Sequence, residues 1–342
     1  MKGPLEYFME NLSYNEPSQD DGKTEAAETT LVKPSPQKFV DPYVTAKGEE
    51  RGFVDLITLE TLWINTGTLC NIECANCYIE SSPRNDRLVY ITHEEVLAYL
   101  EEIENDKLGT NEIGITGGEP FMNRDIIKIM TSCLERGFNL IVLTNAMRPM
   151  MRFTEQLIEL NKRFGDKLTL RISVDHYSPQ LHEEERGPKT WEPMLKGLTW
   201  LSHNKFNIDI AGRTRWGEDE VELRAGYAAL FAENDIQLDA SSRKQLVLFP
   251  EMEPNKEVPE VTSECWGILN VDPKSIMCAS SRMIVKRKGT EKPAVIACTL
   301  LPYEDEFEFA STLKESSKRV QLNHSFCSKF CVLGGGACSV SE

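Results

Sequence analysis

Between about Phe53 and Pro250, short apolar runs alternate with longer amphipathic ones. The runs at Leu62–Thr66, Ile113–Thr116, Leu140–Leu143, Leu168–Val174, Phe206–Ile210 and Gln245–Phe249 are β-branched or leucine-rich and read as strands. Between them the apolar positions recur at helical spacing. Thr92 opens one helix, with Glu95 three residues on to complete a capping box and Val96, Leu97, Leu100 and Ile103 forming its stripe. Further helices are expected over Ile126–Arg136, which stops at Gly137, and over Met151–Phe164, Trp191–Leu201 and Glu218–Phe231. Six βα units in series imply parallel strands joined by right-handed crossovers. A doubly wound sheet and a complete or partial barrel both satisfy this pattern.

On either side of this region the pattern lapses. Residues 1–52 carry Pro4, Pro17, Pro34, Pro36 and Pro42 among Ser, Thr, Asp and Glu, and are read as an irregular acidic leader, with Met1–Leu12 a short docking helix. In 251–342, Met283–Lys286 and Ala294–Ala297 flank a Lys-Gly-Thr-Glu-Lys-Pro turn and are expected to form a β-hairpin. Six of the ten cysteines fall in this last stretch: Cys265, Cys278, Cys298, Cys327, Cys331 and Cys338. A segment so poor in apolar residues needs a cross-link, and a metal centre is a natural one. The expected organisation is therefore a leader at 1–52, an α/β body at 53–250 and a small cysteine-rich unit at 251–342.

With 342 residues and 40% hydrophobic content the chain is long enough to bury a sizeable core. Its formal net charge of −16, from 54 acidic and 38 basic residues, argues against nucleic acid or an anionic membrane as partner. No apolar run approaches the roughly 18 residues of a membrane span, and no export signal is recognised, so the cytoplasm is the expected compartment. There, cysteines serve as metal ligands more readily than as disulfides.

The chemistry concentrates in Leu69–Tyr78, where Cys70, Cys74 and Cys77 stand at C-x3-C-x2-C spacing directly after the first expected strand. A loop this short keeps three sulfurs close enough to meet at one metal centre. A structural zinc or an ordinary ferredoxin-type cluster takes four protein ligands, so three leave a metal position open. Zinc, or a chance cluster of buried cysteines, is the plainer alternative. The spacing, with an aromatic residue after the third cysteine, resembles the signature loop of the radical S-adenosylmethionine (SAM) enzymes. The resemblance implies a partial (β/α)6 TIM-like barrel and a [4Fe–4S] cluster on those cysteines, with SAM chelating its fourth iron.

Other stretches resemble the same family. Gly117-Gly118-Glu119-Pro120 ends the second strand and is similar to the motif by which the family binds the SAM amino group. Ser173 and Asp175 lie on one side of the fourth strand at period two, and with Arg186-Gly187 they look like the family's Ser-x-Asp and Arg-Gly pattern. Asn145 and Gly212-Arg213 take analogous positions at the ends of the third and fifth strands. The plain reading of each is a polar strand end. In the tail, Cys278 and Cys298 bracket the hairpin and Cys327-x3-Cys331 follows, resembling a twitch domain or shortened SPASM domain that holds an auxiliary [4Fe–4S] cluster. Cys338, after Gly334-Gly335-Gly336-Ala337, resembles the closing Gly-Gly-x-Cys of SPASM and is a substitute for one of those four; Cys265 is a candidate for a second cluster. Zinc would accept the same thiolates. Cys133 reads as a plain buried cysteine and the five histidines as structural, though His176 and His182 fall near the site edge and Trp216 is a candidate cavity wall.

The resemblance implies reductive cleavage of SAM to a 5′-deoxyadenosyl radical that abstracts hydrogen from a substrate, with flavodoxin or ferredoxin as reductant. A small-molecule oxidation or rearrangement is the expected reaction. Maturation of a ribosomal peptide is the alternative, and an iron–sulfur electron carrier that never cleaves SAM is the reading from a different class.

Overall fold

A computed structural model of the chain describes residues 37–251 and 257–336; the expected helix over Met1–Leu12 lies outside them. After a two-residue strand β1 (Phe53–Val54), strands and helices alternate: β2 (Thr61–Asn65), α1 (His93–Asp106), β3 (Glu112–Thr116), α2 (Ile126–Glu135) and β4 (Asn139–Thr144). The series continues with α3 (Arg148–Met151), α4 (Thr154–Phe164), β5 (Leu168–Ser173), α5 (Pro179–Arg186), α6 (Trp191–His203), β6 (Asn207–Arg213), α7 (Glu220–Glu233) and β7 (Leu246–Phe249). Local chemistry accounts for the ends. The Thr92 hydroxyl accepts from the Glu95 amide at 3.2 Å while the Thr92 amide donates to the Glu95 carboxylate at 3.0 Å, the expected capping box. Gly137, at φ +90°, ends α2. The helix expected over Met151–Phe164 is broken at Arg152–Phe153, which turns the Phe153 ring onto Phe121 at 6.1 Å. The unexpected α5 starts at Ser178-Pro179 and stops at Gly187, but its sequence is nearly all polar and carries no apolar stripe.

Strands β2 to β7 lie side by side in chain order and all parallel. The expected hairpin forms from β8 (Ser281–Val285) and β9 (Ala294–Ile296), but β8 also pairs parallel with the free side of β2. With β10 (Glu308–Ala310) it extends the sheet to nine strands, in the order β10-β9-β8-β2-β3-β4-β5-β6-β7. The sheet stays open, with β7 and β10 as its edges. Alternation along the strands sets its two faces. Leu62, Ile64, Ile113, Ile115, Leu170 and Ile172 pack outward against the helices. Trp63 points the other way, into a cluster with Ile141, Met283, Val285 and Ile296 to which no α-helix contributes. A Cβ on Gly114 would stand 2.4 Å from the Trp63 ring, so the bare glycine is what lets the indole fill the bore. Helices on one face and side chains on the other distinguish a partial barrel from a doubly wound sheet.

Residues after β7 gather a second apolar cluster around Val261, Ile276, Leu300, Phe307 and Phe330. The tail thus has a core of its own, contrary to its apparent poverty in apolar residues, because it borrows partners. Val54 joins it through the antiparallel pairing of β1 with β11 (Val320–Gln321), and Tyr78 and Phe249 approach from the barrel. The described part of the leader is irregular but fastened to this unit. The buried Arg51 side chain donates to Asp41 O at 2.9 Å and meets Glu260 at 2.7 Å. Among the described residues no helix is long and apolar enough to cross a membrane.

Candidate active site

The loop after β2 carries Cys70, Cys74 and Cys77 over the C-terminal ends of the parallel strands, the edge where sites form in such folds. It rests on Gly117 and Gly118. The Gly118 amide donates to Gly67 O at 2.8 Å and the Glu119 amide to Leu69 O at 3.2 Å. Gly117 sits at φ +141°, and a Cβ on Gly118 would stand 2.3 Å from Leu69 O, so neither position has room for a side chain. Burial pushes the Cys70 thiol up to about 12 and the Cys74 thiol up to about 11. Such sulfurs become thiolates when a metal centre shares the charge.

The three cysteines line a cavity of about 180 Å³ together with Gly117, Gly118, Asn145, Ser173, Asp175 and Arg186. These residues come from the ends of β3, β4 and β5 and from α5, so the fold collects candidates up to 116 residues apart in sequence (70 to 186). The three thiols and the bare glycine backbone line one cavity, as a group with three protein ligands and one open face would require, although among the described residues no three His, Cys, Asp or Glu side chains stand as a preformed site for a single metal ion.

Glu119, Pro120 and Gly212 are not among the lining residues. The Glu119 carboxylate is buried and already accepts from Phe121 N at 3.1 Å, Thr144 Oγ1 at 2.9 Å and Asn145 N at 2.9 Å. It braces the end of β4, and burial raises it to about 7 against those donors. Pro120 is buried in the short turn that follows. Gly212 shares the outward face of β6 with Ile208 and Ile210, and a Cβ there would meet the Tyr227 hydroxyl at 2.4 Å. Its neighbours Ala211 and Arg213 are the ones that face the cavity.

A chain of buried charges fixes the far wall. Arg186 grips Asp175 with two hydrogen bonds, 2.6 and 3.2 Å, and Arg213 approaches the same carboxylate at 3.4 Å. Burial works to raise Asp175, yet the two guanidinium groups hold it below the usual carboxylate range. Glu185, next along α5, reaches the cysteine loop. It accepts from Asn76 N at 2.9 Å and Asn76 Nδ2 at 3.0 Å, pairs with Arg215, and lies 3.6 Å from Arg213. Glu185 and Asn76 escaped sequence reasoning. Nothing in Leu-His-Glu-Glu-Glu-Arg distinguishes the one glutamate that turns inward.

The roof comes from the tail. Thr299 and Leu300, just after Cys298, and Phe330, between Cys327 and Cys331, line the same cavity. Phe330 stacks on Phe249 at 5.7 Å and meets Tyr78 edge-on at 6.3 Å; Tyr303 donates to Ile79 O at 3.0 Å. Trp216 does not line the cavity; it lies edge-on to His176 at 4.9 Å. His176 is bonded to Glu218, and His182 is fully buried against Trp191. Cys133 is buried among the helices.

Of the tail cysteines, Cys278, Cys298 and Cys327 come together. Burial, then the neighbouring Cys298 and Cys278 sulfurs, push the Cys327 thiol well up. Cys331 lies on the same π-helical turn, Cys327–Leu333, four residues on. Cys265 packs on this cluster too, its sulfur accepting from the Thr262 amide at 3.3 Å. Cys338 lies outside the described residues.

Comparison with known proteins agrees with this geometry. The family model for the radical SAM superfamily matches residues 64–222. Over 143 residues the chain is 32% identical to the antilisterial bacteriocin subtilosin biosynthesis protein AlbA of Bacillus subtilis (strain 168), a match covering 42% of this chain and 30% of that protein. It is 28% identical over 170 residues to the GTP 3',8-cyclase of Alkaliphilus metalliredigens, covering 46% and 49% of the two chains. The chain therefore spans between about 30% and about half of the length of these relatives. In fold it is similar to Streptococcus suis SuiB bound to S-adenosylmethionine, with TM-score 0.54 and 13% identity over 75% of this chain and 64% of that one. Bound to precursor peptide SuiA, SuiB gives TM-score 0.53 and 14% identity, over 77% and 64%. Cysteine loop, glycine cradle and open parallel sheet all fall within or beside the matched span, and residues 64–222 of this chain are a radical SAM domain.

Proposed function

We propose that this protein is a radical SAM enzyme whose barrel, residues 53–250, generates a substrate radical beneath a roof formed by an auxiliary-cluster unit, residues 251–342. The observation that carries the reading is the convergence of Cys70, Cys74, Cys77, Gly117, Gly118 and the Asp175–Arg186 pair on one cavity at the C-terminal end of the strands. Bound together and reduced, a [4Fe–4S] cluster and SAM supply a carbon-centred radical that takes a hydrogen atom from an unactivated carbon. The three cysteines would hold the cluster. Gly117 and Gly118 would give close backbone approach to SAM, and Asn145, Ser173, Asp175 and Arg186 would orient it. Glu119 acts one step back, as a positioning residue for Asn145. Leu300 and Phe330 would keep water and stray thiols from the reacting carbon.

A small-molecule oxidation or rearrangement is the proposed reaction, with flavodoxin or ferredoxin as electron donor. The cytoplasm is the proposed compartment, supported by the free cysteines of the described residues, which a reducing environment preserves. A second reading, maturation of a ribosomal peptide, is favoured by the 32% identity to a protein named for bacteriocin biosynthesis. Anaerobic incubation with dithionite and SAM tests the shared claim: 5′-deoxyadenosine should be released, and Cys70→Ala, Cys74→Ala or Cys77→Ala should abolish it. No release from a reconstituted sample would leave only an electron carrier. Iron and sulfide counts of about eight per chain would support the auxiliary cluster, and about four would remove it.

A further inference from the structure

The described residues contain four buried arginines, Arg51, Arg171, Arg213 and Arg282. Three meet carboxylates: Arg51 with Glu260 at 2.7 Å, Arg171 with Asp209 at 3.1 Å, and Arg213 with Asp175 and Glu251 at 3.4 Å. Arg282, 1% exposed on β8, has no carboxylate among the described residues. Among the described residues its guanidinium donates only to carbonyls: Cys278 O and Ser281 O at 2.7 Å, Ser316 O and Lys318 O at 3.0 Å. Its plane side faces Phe309 at 5.4 Å. Carbonyl dipoles satisfy the donors but leave a whole positive charge in the interior, which is costly without an anion. One of those carbonyls belongs to Cys278, which lies with Cys298 and Cys327 in one apolar cluster, so the bare charge sits beside the tail cysteines.

We infer that Arg282 is the buried counter-charge of the auxiliary iron–sulfur cluster, and that its charge raises that cluster's reduction potential. The inference rests on the auxiliary-cluster reading above. Thiolate-bound clusters are net anionic, and they become more so when one electron is added; a fixed cation nearby favours the reduced form. Arg282 touches neither substrate nor the reacting carbon and is a positioning residue. Its carbonyl bonds also stitch β8 to residues 316–318, so loss of stability alone would not distinguish the two roles.

The test is an anaerobic redox titration of the reconstituted full chain, with dithionite as electron donor and electron paramagnetic resonance as readout. Added SAM perturbs the signal of the first cluster and so identifies the second. Arg282→Gln, which removes the charge and keeps amide donors, should make reduction of the second cluster at least tenfold less favourable, 59 mV for a one-electron couple. Arg282→Lys, which keeps the charge, should leave the midpoint within that margin. An unchanged midpoint in Arg282→Gln overturns the inference. Should that variant fail to fold, a tenfold or larger fall in Arg282→Lys overturns it as well. About four irons per parental chain would remove the auxiliary cluster itself, a failure separate from an unmoved potential at about eight.

Discussion

Replacing Glu185 with glutamine should loosen the cysteine loop without touching a cysteine. The carboxylate is fully buried and every group around it is a donor: the Asn76 amide at 2.9 Å, Asn76 Nδ2 at 3.0 Å, Arg215, and Arg213 at 3.6 Å. A glutamine NH2 must face one of these donors whichever way the amide is turned, and the counter-charge to two arginines disappears. Removing one partner of a buried ion pair costs about 3–5 kcal/mol. The contact from Ala75 N to Glu185 O, at 2.7 Å, is backbone and survives, which keeps the estimate from running higher. Against a typical total of roughly 5–15 kcal/mol the variant should fold but be markedly weakened. Urea unfolding under anaerobic conditions reads the stability, and iron content after reconstitution reads the loop between Cys74 and Cys77. Glu184→Gln is the control. Glu184 is half exposed and meets Arg215 at 3.4 Å, so its loss should stay within about 0.5 kcal/mol. A Glu185→Gln protein within about 1 kcal/mol of the parent, with unreduced iron, would refute the assignment of Glu185 as the loop's anchor.

Gly118→Ala would place a methyl 2.3 Å from Leu69 O, so the cysteine loop must shift; a loss of about 1–3 kcal/mol and of iron uptake is expected. Gly267→Ala, whose methyl meets nothing within 4 Å, should change neither, and equal behaviour of the two variants would contradict the close approach. Burial pushes the Glu119 carboxyl up to about 7 from an ordinary 4.5, so the folded state prefers its proton. Its contribution to stability is therefore present in full below about 4.5 and drains away as pH rises through 7, by an amount on the order of a few kcal/mol. Unfolding free energies of parent and Glu119→Gln should diverge with pH across that window; a constant difference would show that burial is not what governs this carboxyl.

How much of this was readable in the chain differs from element to element. The six parallel strands, the Thr92 cap and the hairpin around 288–293 follow from periodicity and turn chemistry, which act over a few residues. The cysteine triplet and Gly117-Gly118 were readable for the same reason: a short loop and a strand end impose their own geometry. Alternation with Ile208 and Ile210 sets Gly212 on the outer face of β6, whereas its place near a strand end alone points to the cavity. Helix α5 left almost no apolar signal.

What only the tertiary structure decided is which distant groups meet. Glu185 finds Asn76 across 109 residues and Phe330 roofs a cavity begun at Cys70. The tail builds a core by borrowing Val54, Tyr78 and Phe249. A sequence states burial and spacing locally, since those follow from backbone geometry residue by residue. Pairings of charge and packing between far segments follow from how the sheet curls and where it stays open, and no local pattern carries that.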